Sequence, residues 1–194
     1  MERICVYCGS SPGRDPAYVE AAEAFGRTLV DRELGLVFGG GHVGLMGAVA
    51  DATLAAGGEA HGVIPAALEK RELTHEGLTE LDVVESMHAR KERMAELADG
   101  FVALPGGFGT LEELMEVLTW AQLGFHHKPC GVLNVAGYYT ELAEFFDRQV
   151  ETGFVEPAHR DMLVVSDDAD DLLDRFASYE PPPVKAVITD ESET

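Results

Sequence analysis

Apolar and polar positions alternate along this chain in two distinct rhythms. Short apolar runs at 3–8, 34–38, 59–64, 81–84, 100–104, 130–135 and 162–165 predict β-strands. Between most of them the apolar residues recur every three or four positions, as on one face of a helix. In the first such stretch Tyr18, Ala22, Phe25 and Leu29 share a face, with Asp15 as N-cap and Pro16 as first helical residue. Further helices are predicted near 43–56, 87–98, 110–123, 138–151 and 168–176. Alternation of this kind predicts an α/β protein: a doubly wound parallel sheet of about seven strands with helices on both faces. Leu36-Val37-Phe38 and Phe101-Val102-Ala103-Leu104 are apolar throughout, as central parallel strands are. Residues 65–80 are the longest stretch without a clear element, and such loops in α/β domains are often functional. Residues 1–178 are read as one domain. Residues 179–194, with three prolines and an acidic end, are read as a disordered, solvated tail.

Composition narrows the possible partners. The 194 residues are 46% hydrophobic, enough for a substantial core. No apolar run reaches membrane-spanning length, and Met1-Glu2-Arg3 leads straight into the first strand, as expected of a cytoplasmic protein. Thirty-five acidic against 14 basic residues give a formal charge of −21, which disfavours nucleic acid and anionic membrane as partners. The only lysines are Lys70, Lys91, Lys128 and Lys185, a composition compatible with a high-salt cytoplasm. Cys5, Cys8 and Cys130 are odd in number and read as small buried strand residues rather than a disulfide framework. The seven histidines show no metal spacing, so no metal and no cofactor is expected.

Two glycine loops follow strands and open helices. The first, Gly39-Gly40-Gly41-His42-Val43-Gly44-Leu45-Met46-Gly47, formally fits a dinucleotide fingerprint. The next strand lacks an acidic residue at its carboxyl end for a ribose, which argues against NAD, and no phosphate-loop Gly-Lys-Ser/Thr occurs. The second is Leu104-Pro105-Gly106-Gly107-Phe108-Gly109-Thr110-Leu111-Glu112-Glu113. A strand, a tight turn and a helix start direct free N–H groups and the helix dipole to one point, where an anion binds. Two such loops on one sheet edge suit a mononucleotide. Ser10, in the turn Cys8-Gly9-Ser10-Ser11, can add a phosphate or ribose contact or simply form the turn.

Two charged residues fit a plain helix poorly. Arg90 shares a face with Met94 and Leu97 in the first turn of a helix capped by Ser86. Burial and dipole both disfavour a guanidinium there, unless it meets an anion or snorkels to water. Glu113 completes the capping box Thr110-Leu111-Glu112-Glu113, in which it would reach back to the Thr110 N–H. It also places a carboxylate beside the anion site.

Pro105-Gly106-Gly107-Phe108-Gly109-Thr110-Leu111-Glu112-Glu113 resembles the signature of the Lonely Guy (LOG) family of cytokinin riboside 5′-monophosphate phosphoribohydrolases. The likeness extends to Cys8-Gly9-Ser10-Ser11, Gly39-Gly40-Gly41, Gly44-Leu45-Met46-Gly47, Arg71-Glu72-Leu73-Thr74, Met87-His88, Arg90-Lys91 and Thr119-Trp120-Ala121-Gln122-Leu123-Gly124. It implies a Rossmann-like homodimer that hydrolyses the N-glycosidic bond of a purine nucleoside 5′-monophosphate, cytokinin-type or AMP. It further implies Arg90 and Glu113 as the catalytic pair. Ser10, Gly40, Gly41, Glu72, Arg90, Lys91, Gly106, Gly107, Phe108, Gly109, Thr110, Leu111, Glu112 and Thr119 are the expected substrate contacts. Glycosidic cleavage passes through an oxocarbenium-like state that a carboxylate stabilises. Arg90 fits either phosphate binding or support of the departing base. Ala89 stands where the family commonly has Glu or Gln, so the Arg90 helix lacks the second half of its capping box. The alternative is a non-catalytic Rossmann-like carrier of a nucleotide or molybdenum cofactor. The apolar helices after 110 and 138 offer a dimer face.

Overall fold

The computed structural model describes residues 1–69 and 74–182. Seven strands form one parallel sheet: β1 (Arg3–Tyr7), β2 (Gly35–Phe38), β3 (Ala60–Pro65), β4 (Glu80–Val84), β5 (Gly100–Ala103), β6 (Cys130–Leu133) and β7 (Leu163–Ser166), in the order β4-β3-β2-β1-β5-β6-β7. All seven expected strands are present, within a residue or two of their expected limits. The chain winds outward from β1 in both directions, so β1 and β5 flank the switch point. Ligands of open α/β sheets bind at the carboxyl ends of such strands.

Strand alternation sorts the core into two layers. Ile4, Val6, Leu36, Phe38, Val102 and Leu104 pack beneath α1 (Ala17–Asp31), α2 (Gly44–Ala55) and α8 (Ala169–Ala177). Cys5, Tyr7, Val37, Phe101 and Ala103 pack beneath α4 (Met87–Leu97), α5 (Phe108–Leu123) and α6 (Thr140–Glu151). The cysteines are buried and free, as small core residues. In α1, Ala22, Phe25 and Leu29 are buried, and the Asp15 carboxylate accepts from the Ala17 N–H at 3.0 Å. Among the described residues no helix is long and apolar enough to cross a membrane.

Several local expectations need correction. The stretch 65–80 holds a short helix, α3 (Ala66–Glu69), and a bridge between Gly41 and Thr74 that ties it to the first glycine loop. Residues 70–73, including Glu72, lie outside the described residues, as does the expected tail from 183 onward. His126-His127-Lys128-Pro129 reads from sequence as an exposed loop, but His126 is half-buried. Its ring packs on Phe101 and bonds the Val117 carbonyl at 2.8 Å. The third correction concerns the second glycine loop itself. Helix α5 starts at Phe108 with Gly107 as N-cap, so Thr110 lies inside the first turn and no capping box forms. Glycine needs no side-chain oxygen to cap, and the paired glycines let the helix begin early. The short helix α7 (Pro157–Arg160) completes the chain of elements between α6 and β7.

Candidate functional site

The loops after β1, β2 and β5 meet around a cavity of about 460 Å³. That volume lies within the range of small-molecule sites. Cys8, Gly9 and Ser10 contribute from the first loop, Gly39 and Gly41 from the second, and Gly107, Phe108, Gly109 and Thr110 from the third. Val43, Met46, Ile64, Leu68, Met87 and Met94 form an apolar side. Arg90, Glu112 and Glu113 supply the charge.

Each part is positioned by local sequence. In α4 the Ser86 hydroxyl accepts from the Ala89 N–H at 3.1 Å, the N-cap expected for that residue. Arg90 follows one turn later, 9% exposed, facing the core layer that holds Met94. Its Nε donates to the Val63 carbonyl at 3.1 Å, and its Nη1 donates to Glu113 Oε1 at 3.0 Å. Glu113 is 8% exposed. Burial raises its pKa, Arg90 pulls it back, and the result stays above the usual carboxylate range. A charge-assisted pair thus takes the carboxylate that a capping box would have turned toward Thr110.

Gly39 explains how the guanidinium fits. A Cβ there would sit 1.9 Å from Arg90 Nη2 and 3.0 Å from Cζ, so the absent side chain is the space Arg90 occupies. Gly106 is likewise closed, because a Cβ would meet Thr110 Oγ1 at 2.1 Å. The turn therefore packs tightly onto the side chain that follows it. Gly107 and Gly109 differ. Their Cβ positions meet no atom within 4 Å and their φ angles are ordinary, so nothing inside the chain demands glycine there. They stand at the head of α5, where the first-turn N–H groups have no carbonyl within the helix to bond. Bare glycines at that point allow a ligand to approach the backbone closely.

The remaining expected residues separate into groups. Ser10, Gly41, Gly107, Phe108, Gly109, Thr110 and Glu112 line the cavity with Arg90 and Glu113. Gly40, in a left-handed conformation (φ 71°), is buried behind the first glycine loop, and its carbonyl accepts from the His75 N–H. Gly106 supports the turn from below, and Leu111 is half-buried against the α4–α5 layer. Lys91 is 7% exposed and turns its ammonium to Glu112 (2.5 Å) and Glu116 (3.1 Å). Burial alone would lower its pKa, but the two carboxylates outweigh burial and raise it. Thr119 lies farther along α5, exposed, its hydroxyl donating to the Met115 carbonyl at 2.7 Å. It lines a separate groove with Met115, Leu118, Phe146, Val155 and Leu163. Gly39 and the apolar residues Met46, Ile64 and Met87 line the cavity but were not among the expected substrate contacts. Only the demand of Arg90 for space pointed to Gly39. No group of three or more His, Cys, Asp or Glu side chains forms a metal site among the described residues.

A family model described as "Possible lysine decarboxylase" matches residues 46–176. The chain is 52% identical over 181 residues to cytokinin riboside 5′-monophosphate phosphoribohydrolase LOG7 of Arabidopsis thaliana, covering 93% of this chain and 83% of that protein. It is 53% identical over 183 residues to the probable cytokinin riboside 5′-monophosphate phosphoribohydrolase LOGL5 of Oryza sativa subsp. japonica, covering 94% and 74%. Among solved structures, the molybdenum cofactor binding protein of Rippkaea orientalis superposes with a TM-score of 0.69 at 18% identity, covering 91% of this chain and 96% of that one. The molybdenum cofactor carrier protein of Chlamydomonas reinhardtii gives 0.68 at 21% identity, covering 92% and 99%. At those identities the likeness to the two carriers speaks for the fold alone.

Proposed function

Because the chain belongs to the Lonely Guy family, we propose that it is a nucleoside 5′-monophosphate phosphoribohydrolase, releasing a free purine base and ribose 5-phosphate. The observation that carries this reading is the buried Arg90–Glu113 pair on the wall of a cavity headed by the α5 N-terminus. The phosphate occupies the head of α5, against the N–H groups of the Gly107–Thr110 turn. The base lies toward Val43, Met46, Ile64, Leu68 and Met87. The ribose then spans the distance between them, with its anomeric carbon near Glu113.

As the C1′–N bond breaks, its electron pair leaves with the base and positive charge develops on the ribose. The Glu113 carboxylate stabilises that charge. Water then delivers hydroxyl to C1′, and its proton completes the base. Arg90, fixed at both Nε and Nη1, holds the Glu113 carboxylate in place and keeps cationic charge available to the phosphate. Lys91 acts through Glu112, keeping that carboxylate from facing the anion unpaired.

Residues 1–178 are the catalytic domain, and the enzyme acts in the cytoplasm, where three buried free thiols need no protection from oxidation. It works as a homodimer. Phe145 on α6 and Phe154 in the turn after it are exposed, and each is next in sequence to a residue that lines the Thr119 groove, Phe146 and Val155. Thr119 reaches a substrate only across such an interface. Light scattering of the purified chain checks this, and a monomer at micromolar concentration excludes it. For the activity, the purified protein is incubated with AMP and N6-isopentenyl-AMP, and free base is measured. Absence of base from every purine monophosphate ends the reading.

A further inference from the structure

The turn that heads α5 presents three successive carbonyls, and each is bound from outside it. The Leu104 oxygen accepts from the Tyr139 hydroxyl at 2.7 Å, within the core. The Pro105 oxygen accepts from the Gly9 N–H at 3.0 Å. The Gly106 oxygen accepts from the Tyr138 hydroxyl at 2.5 Å. Rotation of one peptide unit exchanges a C=O for an N–H, so the direction of these oxygens decides which pole the cleft meets. An oxygen turned inward would repel a phosphate, whereas the Pro105 and Gly106 oxygens held outward leave the Gly106 and Gly107 amide hydrogens free for it; the Leu104 oxygen shares its peptide with the nitrogen of Pro105, which has no hydrogen, so its bond only anchors the strand end before the turn.

Two of the three restraints come from one dipeptide on the connection between β6 and α6. That connection is shaped to deliver it. Ala136 adopts a left-handed conformation (φ 50°, ψ 30°), followed by Gly137 at φ 76°. A residue with a Cβ is held there only when its surroundings impose it, and such positions cluster where geometry serves function. Asn134 latches the far side. Its Oδ1 accepts from the Tyr139 N–H at 2.6 Å, and its Nδ2 donates to Thr140 Oγ1 at 3.1 Å. The Tyr138 ring stands edge-on to Tyr18 and to Tyr139, which fixes the direction of its hydroxyl. Burial raises the Tyr139 pKa, so the phenol keeps its proton and remains a donor across the working range.

We propose that Tyr138 is a positioning residue that holds the Gly106–Gly107 peptide of this hydrolase's phosphate-binding turn in its anion-accepting orientation, while Tyr139 anchors the strand end from which the turn departs. Neither is assigned contact with the reacting atoms. The proposal rests on the nucleotide reading above, so its test measures binding independently of turnover.

In the full chain, Tyr138→Phe and Tyr139→Phe each keep the ring and remove only the hydroxyl. Calorimetric titration with AMP, ribose 5-phosphate and adenosine separates phosphate from base recognition, and steady-state assays supply kcat and KM. Loss of the Tyr138 hydroxyl should weaken AMP and ribose 5-phosphate about tenfold and leave adenosine within about twofold, and loss of the Tyr139 hydroxyl should weaken them less. KM should rise more than kcat falls. Equal weakening of AMP and adenosine, or unchanged AMP affinity with only a lower melting temperature, overturns the proposal and makes the tyrosines merely structural. Should Tyr139→Phe fail to fold, Tyr138→Phe decides alone, since Tyr138 is exposed. If the wild-type chain binds neither AMP nor ribose 5-phosphate, the nucleotide reading fails before any variant is measured, and the proposal fails with it.

Discussion

Substituting Gly39 by Ala tests whether catalysis depends on the placement of one guanidinium. The new Cβ would lie 1.9 Å from Arg90 Nη2, whereas ordinary contact begins near 3.4 Å. The obstructing atom is the far end of a flexible side chain, so Arg90 retreats rather than the backbone. A retreat of about 1.5 Å stretches the 3.0 Å bond to Glu113 beyond hydrogen-bonding range. A displacement of about 1 Å at a catalytic group costs about a hundredfold, so kcat/KM should fall by about 10². Stability should fall by only about 1–3 kcal/mol, the cost of leaving a buried carboxylate poorly partnered. For a chain of this size that lowers the melting temperature by about 2–4 °C per kcal/mol. The assay pairs base release from AMP with thermal melting of the same preparation. Wild-type kcat/KM in Gly39→Ala would refute the argument, and so would a protein that no longer folds. The first would mean that the position of Arg90 does not matter, the second that the backbone yields instead.

Further outcomes follow from the Arg90–Glu113 geometry and from the charge of the chain. Glu113→Gln keeps an acceptor for Arg90 but removes the charge, so turnover should fall by about 10³ or more while AMP affinity in a titration stays near wild type. Surviving turnover, or loss of binding with it, contradicts the role assigned to Glu113. Because burial raises the Glu113 pKa, activity that needs its carboxylate should decline as pH falls through a value above the usual ~4.3. A kcat–pH profile with its acid limb at or below that value would count against it. The same shift has a stability sign. A carboxyl with a raised folded pKa opposes folding when ionised, so its cost is present at neutral pH and is relieved as pH falls through the folded value. Finally, a charge of −21 on 194 residues is self-repulsive, so molar KCl should raise the melting temperature relative to low salt. An unchanged melting temperature excludes a high-salt adaptation.

The strands and their membership of one parallel sheet were legible because each is a short apolar run set between helical periodicities, whereas the strand order came only with the fold. Both glycine loops were legible as breaks between those elements. Arg90 was visible as a charge on an apolar face, and the resemblance paired it with Glu113, although no spacing showed that the two side chains would meet. Glu113 lies 23 positions away, and the capping box offered a local alternative that sequence spacing favours. The box failed because Gly107 starts the helix before Thr110, a choice made by backbone conformation rather than side-chain type. Tyr138 and Tyr139 carried no signal at all. Their hydroxyls act on carbonyls more than thirty residues earlier in the chain, and nothing in Ala-Gly-Tyr-Tyr announces the target. Lys91 was expected at the substrate from resemblance, and only packing reveals that its ammonium turns to Glu112 and Glu116.

The unobstructed Cβ positions at Gly107 and Gly109 bear on how variants of this protein would be graded. Gly109 lies in the first turn of α5, where Ala is compatible with the backbone and costs the unfolded chain less entropy. A screen that scores solubility, expression or melting temperature would therefore pass Gly109→Ala, and would rank it above the parent by about 0.5–1 kcal/mol. On the proposed reading of the site, the same methyl group would stand between the helix head and a phosphate. Selection for robustness alone would drift toward a well-folded protein with a sealed anion site, so only a screen that includes the nucleotide would keep these glycines.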